Sequence, residues 1–78
     1  MKKINLTIIC PSPKWIHYQC LREVIIYFDF YLSKMGFEVT ISKNNFNTNS
    51  INIVFFAFFL PFDFDIPKNT IIFNSEDL

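Results

Sequence analysis

The chain has 78 residues, of which 51% are hydrophobic and 19% aromatic, and its seven basic and seven acidic residues give a net charge of zero. This length allows one domain at most, and the composition excludes a disordered chain, which would be poor in apolar and aromatic residues. The balanced charge and the absence of a basic stripe argue against nucleic-acid binding.

The N-terminal segment and the cysteines favour a cytoplasmic protein. The apolar segment Ile4–Cys10 is interrupted by two polar residues and has no small-residue cleavage site after it, so we do not expect a signal peptide. The longest uncharged apolar stretch, Ile53–Phe62, has about half the length of a membrane-spanning helix. Cys10 and Cys20 match no metal-site or CxxC spacing, so we expect reduced, buried thiols.

The first predicted elements are a strand over Ile4–Cys10 and a long helix after it. Ser12 fits the N-cap of this helix and Pro13 its first turn, because proline lacks only a donor that would be unpaired there. Gly36 predicts the C-terminal end, since glycine adopts positive φ without strain. The inward face of the helix is predicted from apolar residues spaced three and four apart: Leu21, Val24, Ile25, Phe28, Leu32 and Met35.

A second set of apolar residues lies on the opposite side of this helix, among charged ones: Ile26, Tyr27, Phe30 and Tyr31. One interpretation is that a broad stripe is buried in a thick core. The other is that this side packs against another chain, because apolar patches on monomers are usually small.

Three further strands are predicted over Phe37–Ser42, Ile51–Leu60 and Thr70–Asn74. The uncharged third strand should be central and covered, because an exposed segment of this kind would aggregate. The connections between these strands have only about nine residues, fewer than parallel crossovers normally need, so spacing alone also permits antiparallel pairing. A single helix should leave one face of the sheet uncovered.

The turn after the first strand is where open α/β sheets bind ligands, but its residues argue against a nucleotide. It carries prolines in place of glycines, and the chain has neither a GxGxxG nor a Walker motif. His17, the only histidine, could act as a general base or simply cap the helix. Asp63 and Asp65 could bind a metal, but they better fit turn-forming side chains between two prolines. We therefore expect no cofactor and no metal.

Several segments in matching order resemble the N-terminal start of bacterial glycosyltransferase-like proteins of the two-Rossmann-domain (GT-B) type. In that family a strand, a long helix and a strand precede one strand ending in Gly-Ala-His and another ending in Asn-Leu-Glu-Gln-Leu. Phe56-Ala57-Phe58 and Asn74-Ser75-Glu76-Asp77-Leu78 occupy those two places here. The other matching segments are Pro11-Ser12-Pro13 through His17, Leu21-Arg22-Glu23-Val24, Gly36-Phe37-Glu38-Val39 and Ile51-Asn52-Ile53-Val54-Phe55.

The resemblance implies that residues 1–78 form a single partial Rossmann-like domain, an α/β half-domain with a mainly parallel sheet of about four strands and one long helix after the first. It also implies short links between the second, third and fourth strands. It further implies that this domain is an N-terminal fragment without activity of its own. Its partner would be a C-terminal domain, which binds the sugar nucleotide in that family. Weak candidates for substrate binding are Ser12, His17, Asn74 and Glu76.

Two alternatives to this function remain open. The chain could be a small non-enzymatic module that oligomerises, or binds a protein partner, through the apolar side of its helix. The second and weaker alternative is peripheral membrane attachment through the phenylalanine-rich segments.

Overall fold

The computed structural model describes residues 2–11 and 22–73. Over these residues the chain forms β1 (Lys3–Ile8), α1 (Arg22–Lys34), β2 (Glu38–Lys43), β3 (Ile51–Phe55), a short 3-10 helix (Ala57–Phe59) and β4 (Thr70–Phe73). The strands form one sheet in the order β2-β1-β3-β4, and every neighbouring pair is parallel. The structure therefore confirms the predicted α/β half-domain, and the antiparallel alternative is wrong.

The strand order makes this a doubly wound sheet. From β1 the chain moves to β2 on one side, and it then crosses β1 to reach β3 and β4 on the other. The order in which strands are added thus reverses between β1 and β3, as in flavodoxin-like sheets with the order 2-1-3-4-5. In such folds a ligand crevice lies at this reversal, beyond the carboxyl ends of the strands.

Helix α1 covers one face of the sheet, and the main core lies beneath it. Ile25 is the buried residue of the helix, and Phe28 packs edge-on against two other rings, with centroids 5.6 Å from Phe55 and 5.5 Å from Phe73. Phe28 therefore links the helix to both β3 and β4. Together with Ile25, this core contains buried residues that alternate along the two central strands: Ile4, Leu6, Ile8, Ile53 and Phe55.

The C-terminal end of α1 is the one predicted from Gly36. The Gly36 amide donates to the Ser33 carbonyl at 3.0 Å and the Phe37 amide to the Leu32 carbonyl at 3.1 Å, which is the Schellman pattern. Gly36 has φ +99°, a conformation open to glycine but strained for other residues. Met35 was predicted on the inward face, but it is 71% exposed because the helix ends before it.

The third strand is shorter than predicted. It ends at Phe55 and not at Leu60, because Phe56 adopts a left-handed conformation with φ 64° and ψ 41° that breaks the extended backbone. A short 3-10 helix follows directly. The predicted burial holds for Val54 and Phe55, whereas Phe58 is 56% exposed.

The second face of the sheet was expected to be uncovered, but the structure shows that its centre is covered. Its central residues Asn5, Thr7, Asn52 and Val54 are all buried. Residues 44–50, which join β2 to β3, pass over this face and hydrogen-bond to its side chains. This connection thus takes the place of a second helix over the central strands.

Candidate functional site

The four residues predicted to bind substrate lie outside the described part of the chain. Ser12 and His17 follow β1, and Asn74 and Glu76 follow β4. They therefore stay predictions, as do the helix N-cap and Cys20. The described residues show instead what forms the carboxyl edge of the sheet, where β1 and β3 diverge.

The β1–β3 ladder extends to the start of this edge. The Ile9 amide donates to the Phe55 carbonyl at 3.0 Å, one step beyond the last strand pair. After this bond the two segments separate, with Cys10 and Pro11 on one side and Phe56 with the 3-10 helix on the other. We define residues 9–11, Asn44 and residues 56–60 as the carboxyl edge.

Asn44 holds the end of β1 through a pair of hydrogen bonds. Its Oδ1 accepts from the Cys10 amide at 2.8 Å and its Nδ2 donates to the Cys10 carbonyl at 3.0 Å. Its own amide donates to the Ile8 carbonyl at 2.9 Å. Asn44 has φ 50°, which asparagine tolerates better than most residues. Because Asn44 pairs with both backbone groups of Cys10, the Cys10 amide cannot bind a phosphate without displacing that side chain.

Aromatic side chains form the opposite wall of the carboxyl edge. The rings of Phe58 and Phe59 are 4.4 Å apart between centroids, and that of Phe56 lies 6.1 Å and 6.5 Å from them. Phe58 and Phe59 are 56% and 36% exposed, so each presents part of its ring to solvent. The sequence-based prediction of a continuous buried strand missed this surface, because the left-handed turn at Phe56 is not signalled by glycine or asparagine.

A buried hydrogen-bond network lies beneath the β2–β3 connection. Asn5 Nδ2 donates to Asn52 Oδ1 at 3.0 Å and to the Asn45 carbonyl at 2.8 Å, and Asn5 Oδ1 accepts from Ser42 Oγ at 2.8 Å. Asn52 also accepts from the Asn47 amide at 2.9 Å and donates to the Asn47 carbonyl at 3.0 Å. These amides replace backbone partners that a short crossover lacks, so we assign the network to the fold and not to chemistry.

The sequence contains a signal from which this network could be predicted. Asn5 and Asn52 are isolated polar residues in otherwise apolar strands, and the register places them side by side. An asparagine-rich loop follows the neighbouring strand. Buried amides need partners, and a polar loop nearby is the natural source of them.

The outward side of α1 is exposed, so the interpretation that a broad stripe is buried is wrong. Ile26 is 50% exposed, Tyr27 60%, Phe30 58% and Tyr31 56%. Phe30 and Tyr31 are in edge contact at 5.1 Å, and Lys34 Nζ lies 5.9 Å from the Phe30 centroid. We call Ile26, Tyr27, Phe30, Tyr31 and Met35 the outer face of α1.

Two grooves flank the ridge formed by this outer face. One has a volume of about 290 Å³ and is lined by Tyr27, Phe28, Tyr31 and Leu32. The other, of about 560 Å³, is lined by Ile26, Asp29, Phe30, Ser33 and Lys34. The first groove is thus apolar, and the second contains one acidic and one basic side chain, Asp29 and Lys34. Side chains of a packed neighbour could fill both grooves.

Asp63 and Asp65 do not come together with further ligands. Both are exposed in the connection between β3 and β4. Among residues 2–11 and 22–73, no group of three histidine, cysteine or acidic side chains could hold a metal ion. Asp63 lies in the turn that the Phe64 amide closes by donating to the Pro61 carbonyl at 3.1 Å, whereas Asp65 lies in no turn.

Comparisons with protein-family models, with curated proteins and with solved structures find no match for this chain. Within the described ranges, no helix is long and apolar enough to cross a membrane. A functional assignment therefore depends on the geometry of the carboxyl edge and of the outer face of α1.

Proposed function

We propose that this chain is the N-terminal, acceptor-side part of a cytoplasmic glycosyltransferase-like protein of the GT-B type, inactive alone. The observation that carries the proposal is the backbone at Phe56. The resemblance places a glycine there, and Phe56 has φ 64°, the conformation that glycine adopts without strain. A phenylalanine in this conformation is uncommon, because its Cβ crowds the backbone. The backbone thus retains a geometry that suits the residue of the family.

The sheet supports the same proposal. Its four strands are all parallel although only the seven residues 44–50 separate β2 from β3. The resemblance implies such short links. On β4, Ile71 and Ile72 point to opposite faces and are 54% and 53% exposed. Parallel strands are normally covered on both faces, so these two residues suit contact with further α/β structure.

Acceptor binding would use the carboxyl edge. The exposed rings of Phe58 and Phe59 offer apolar surfaces on which a sugar ring can stack. Ser12, His17, Asn74 and Glu76 would supply hydrogen bonds from the segments that follow β1 and β4. The sugar nucleotide would be bound by the C-terminal partner domain, because the edge offers no glycine-rich loop to a diphosphate.

Amide NMR titrations test this division of roles. We expect oligosaccharide acceptors to shift the signals of Asn44 and of residues 57–59, and nucleotide sugars to leave them unchanged. Replacing Phe58 with alanine should weaken the saccharide shifts, whereas Phe62→Ala should not, since the Phe62 side chain is fully exposed outside the carboxyl edge. Nucleotide-sugar binding at this edge, or saccharide shifts insensitive to Phe58→Ala, would contradict the proposal.

The exposure of the outer face of α1 favours a second function, that of a small interaction module. Three adjacent aromatic side chains on one helix remain more than half exposed: Tyr27, Phe30 and Tyr31. Aromatic side chains are enriched at protein interfaces. Sedimentation of the purified chain should therefore detect an oligomer, and a monomer with no affinity for any other protein would contradict this function.

A further inference from the structure

We infer that the outer face of α1 is an interface between two copies of this chain, in which the two α1 helices pack antiparallel across a two-fold axis. The inference rests on the second proposed function, binding through this face, and names its partner. It does not depend on the glycosyltransferase proposal.

The charges at the two ends of α1 favour an antiparallel second copy. Glu23 lies in the first turn and Lys34 in the last, and both are exposed. A two-fold axis midway between Tyr27 and Phe30 places Glu23 opposite the partner's Lys34, and Lys34 opposite the partner's Glu23. The same operation places Tyr27 opposite the partner's Phe30. A parallel pair would instead bring like charges together, so the charge pattern selects the antiparallel arrangement.

The position of the Lys34 side chain agrees with this pairing. Its ammonium group lies over the Phe30 ring, which places it on the outer face of α1. Positions 23, 26, 30 and 34 are three or four residues apart, so on a helix they form one strip. The aromatic and charged residues therefore belong to a single continuous surface. In addition, the zero net charge of the chain creates no overall repulsion between two copies.

The exposed apolar area is close to what a homodimer of this size requires. Aromatic side chains have areas of roughly 150–250 Å² each, so at the observed exposures the outer face of α1 offers on the order of 500 Å² of apolar surface. A stable interface buries about 800 Å² per partner, of which about 65% is apolar in homodimers. The surrounding charged and polar side chains can supply the remainder.

The groove lined by Tyr27, Phe28, Tyr31 and Leu32 offers a place for the central anchor. Its volume of about 290 Å³ is sufficient for an aromatic ring, and its lining is apolar. In the antiparallel pair, the partner's Phe30 lies beside Tyr27 at the rim of this groove. Two such insertions related by the two-fold axis would give the interface a self-complementary aromatic centre.

Sedimentation equilibrium of charge-reversal variants tests the interface and its direction. We expect the wild-type chain to dimerise, and Glu23→Lys and Lys34→Glu each to weaken self-association about tenfold. An equimolar mixture of these two variants should recover dimerisation, because each lysine then faces a glutamate. Phe30→Ser should weaken association at least tenfold. Asp63→Lys, Lys68→Glu and Phe62→Ser are matched controls at exposed positions outside the outer face of α1.

Circular dichroism on each variant establishes that the fold is retained. A wild-type chain that stays monomeric would overturn the inference. So would a dimer that is insensitive to Phe30→Ser, or a mixture of the two charge variants that fails to associate. A dimer insensitive to Phe30→Ser would still agree with an interaction module that uses another surface. None of these three results bears on saccharide binding at the carboxyl edge, so this inference and the glycosyltransferase proposal fail separately.

Discussion

The buried amide of Asn52 offers a direct test of how the short β2–β3 crossover is held. The side chain is fully buried and makes three well-formed hydrogen bonds, one with Asn5 and two with the backbone of Asn47. Asn52→Leu keeps a similar volume but removes all three bonds. At about 1 kcal/mol net per bond, the free energy of unfolding should fall by about 3 kcal/mol. A domain of this length has roughly 4–12 kcal/mol in total, so the loss would be a large fraction.

Asn52→Asp separates the acceptor role of this side chain from its donor role. A carboxylate still accepts from Asn5 Nδ2 and from the Asn47 amide, but it turns a second oxygen towards the Asn47 carbonyl. A protonated carboxyl can donate to that carbonyl. The variant should therefore lose about 3 kcal/mol near pH 7. Because its charged form is disfavoured in the folded chain, the pKa of Asp at this position lies above the value of about 4 that it has in the unfolded chain, so the deficit relative to the wild-type chain should shrink as the pH falls towards 4.

Urea unfolding followed by circular dichroism, carried out near pH 7 and near pH 4, measures these differences in the free energy of unfolding. Asn49→Asp is the matched control, because it makes the same chemical change at an exposed position of the same loop. We expect it to change the stability by less than about 0.5 kcal/mol. If Asn52→Asp were no more destabilising than Asn49→Asp, or if its deficit grew on acidification, the role assigned to the network would be refuted.

Three further predictions concern the backbone, and urea unfolding measures each of them. Phe56→Gly should be more stable than Phe56→Ala by about 1 kcal/mol, because both variants lack the ring but only glycine adopts φ 64° without strain. The reverse order of stability would show that the backbone at this position is not strained. Gly36→Ala should cost about 1 kcal/mol although nothing lies within 4 Å of the added Cβ, and a neutral result would show that the helix end can relax. Asn44→Ala should cost about 1–2 kcal/mol, because it removes the two hydrogen bonds to Cys10. Asn44→Asp should cost less, because its carboxylate still accepts from the Cys10 amide, and equal losses for the two variants would argue against that bond.

The sequence determined the elements of the fold more securely than their ends. The alternating and helical spacings predicted four strands and one helix in the correct order, and Gly36 marked where the helix ends. The end of β3 was missed, because a phenylalanine in a left-handed conformation has no local signal and is imposed by the packing around it. The burial of the outer face of α1 was also left open, since spacing shows which residues share a side but not what lies against it.

Parallel pairing and the role of the asparagines were decided only by the tertiary structure. Spacing allowed either direction for the later strands, because a short connection normally favours an antiparallel partner. The crossover from β2 to β3 is held by Asn5 and Asn52, which are 47 residues apart in sequence but joined by a hydrogen bond of 3.0 Å from Asn5 Nδ2 to Asn52 Oδ1. The spacing of apolar residues is a local property of the chain. The sequence alone was therefore sufficient to predict the strands and the one helix of an α/β domain. The exposed aromatic surfaces at Phe58 and on α1 depend on contacts between distant segments, so only the folded chain could reveal them.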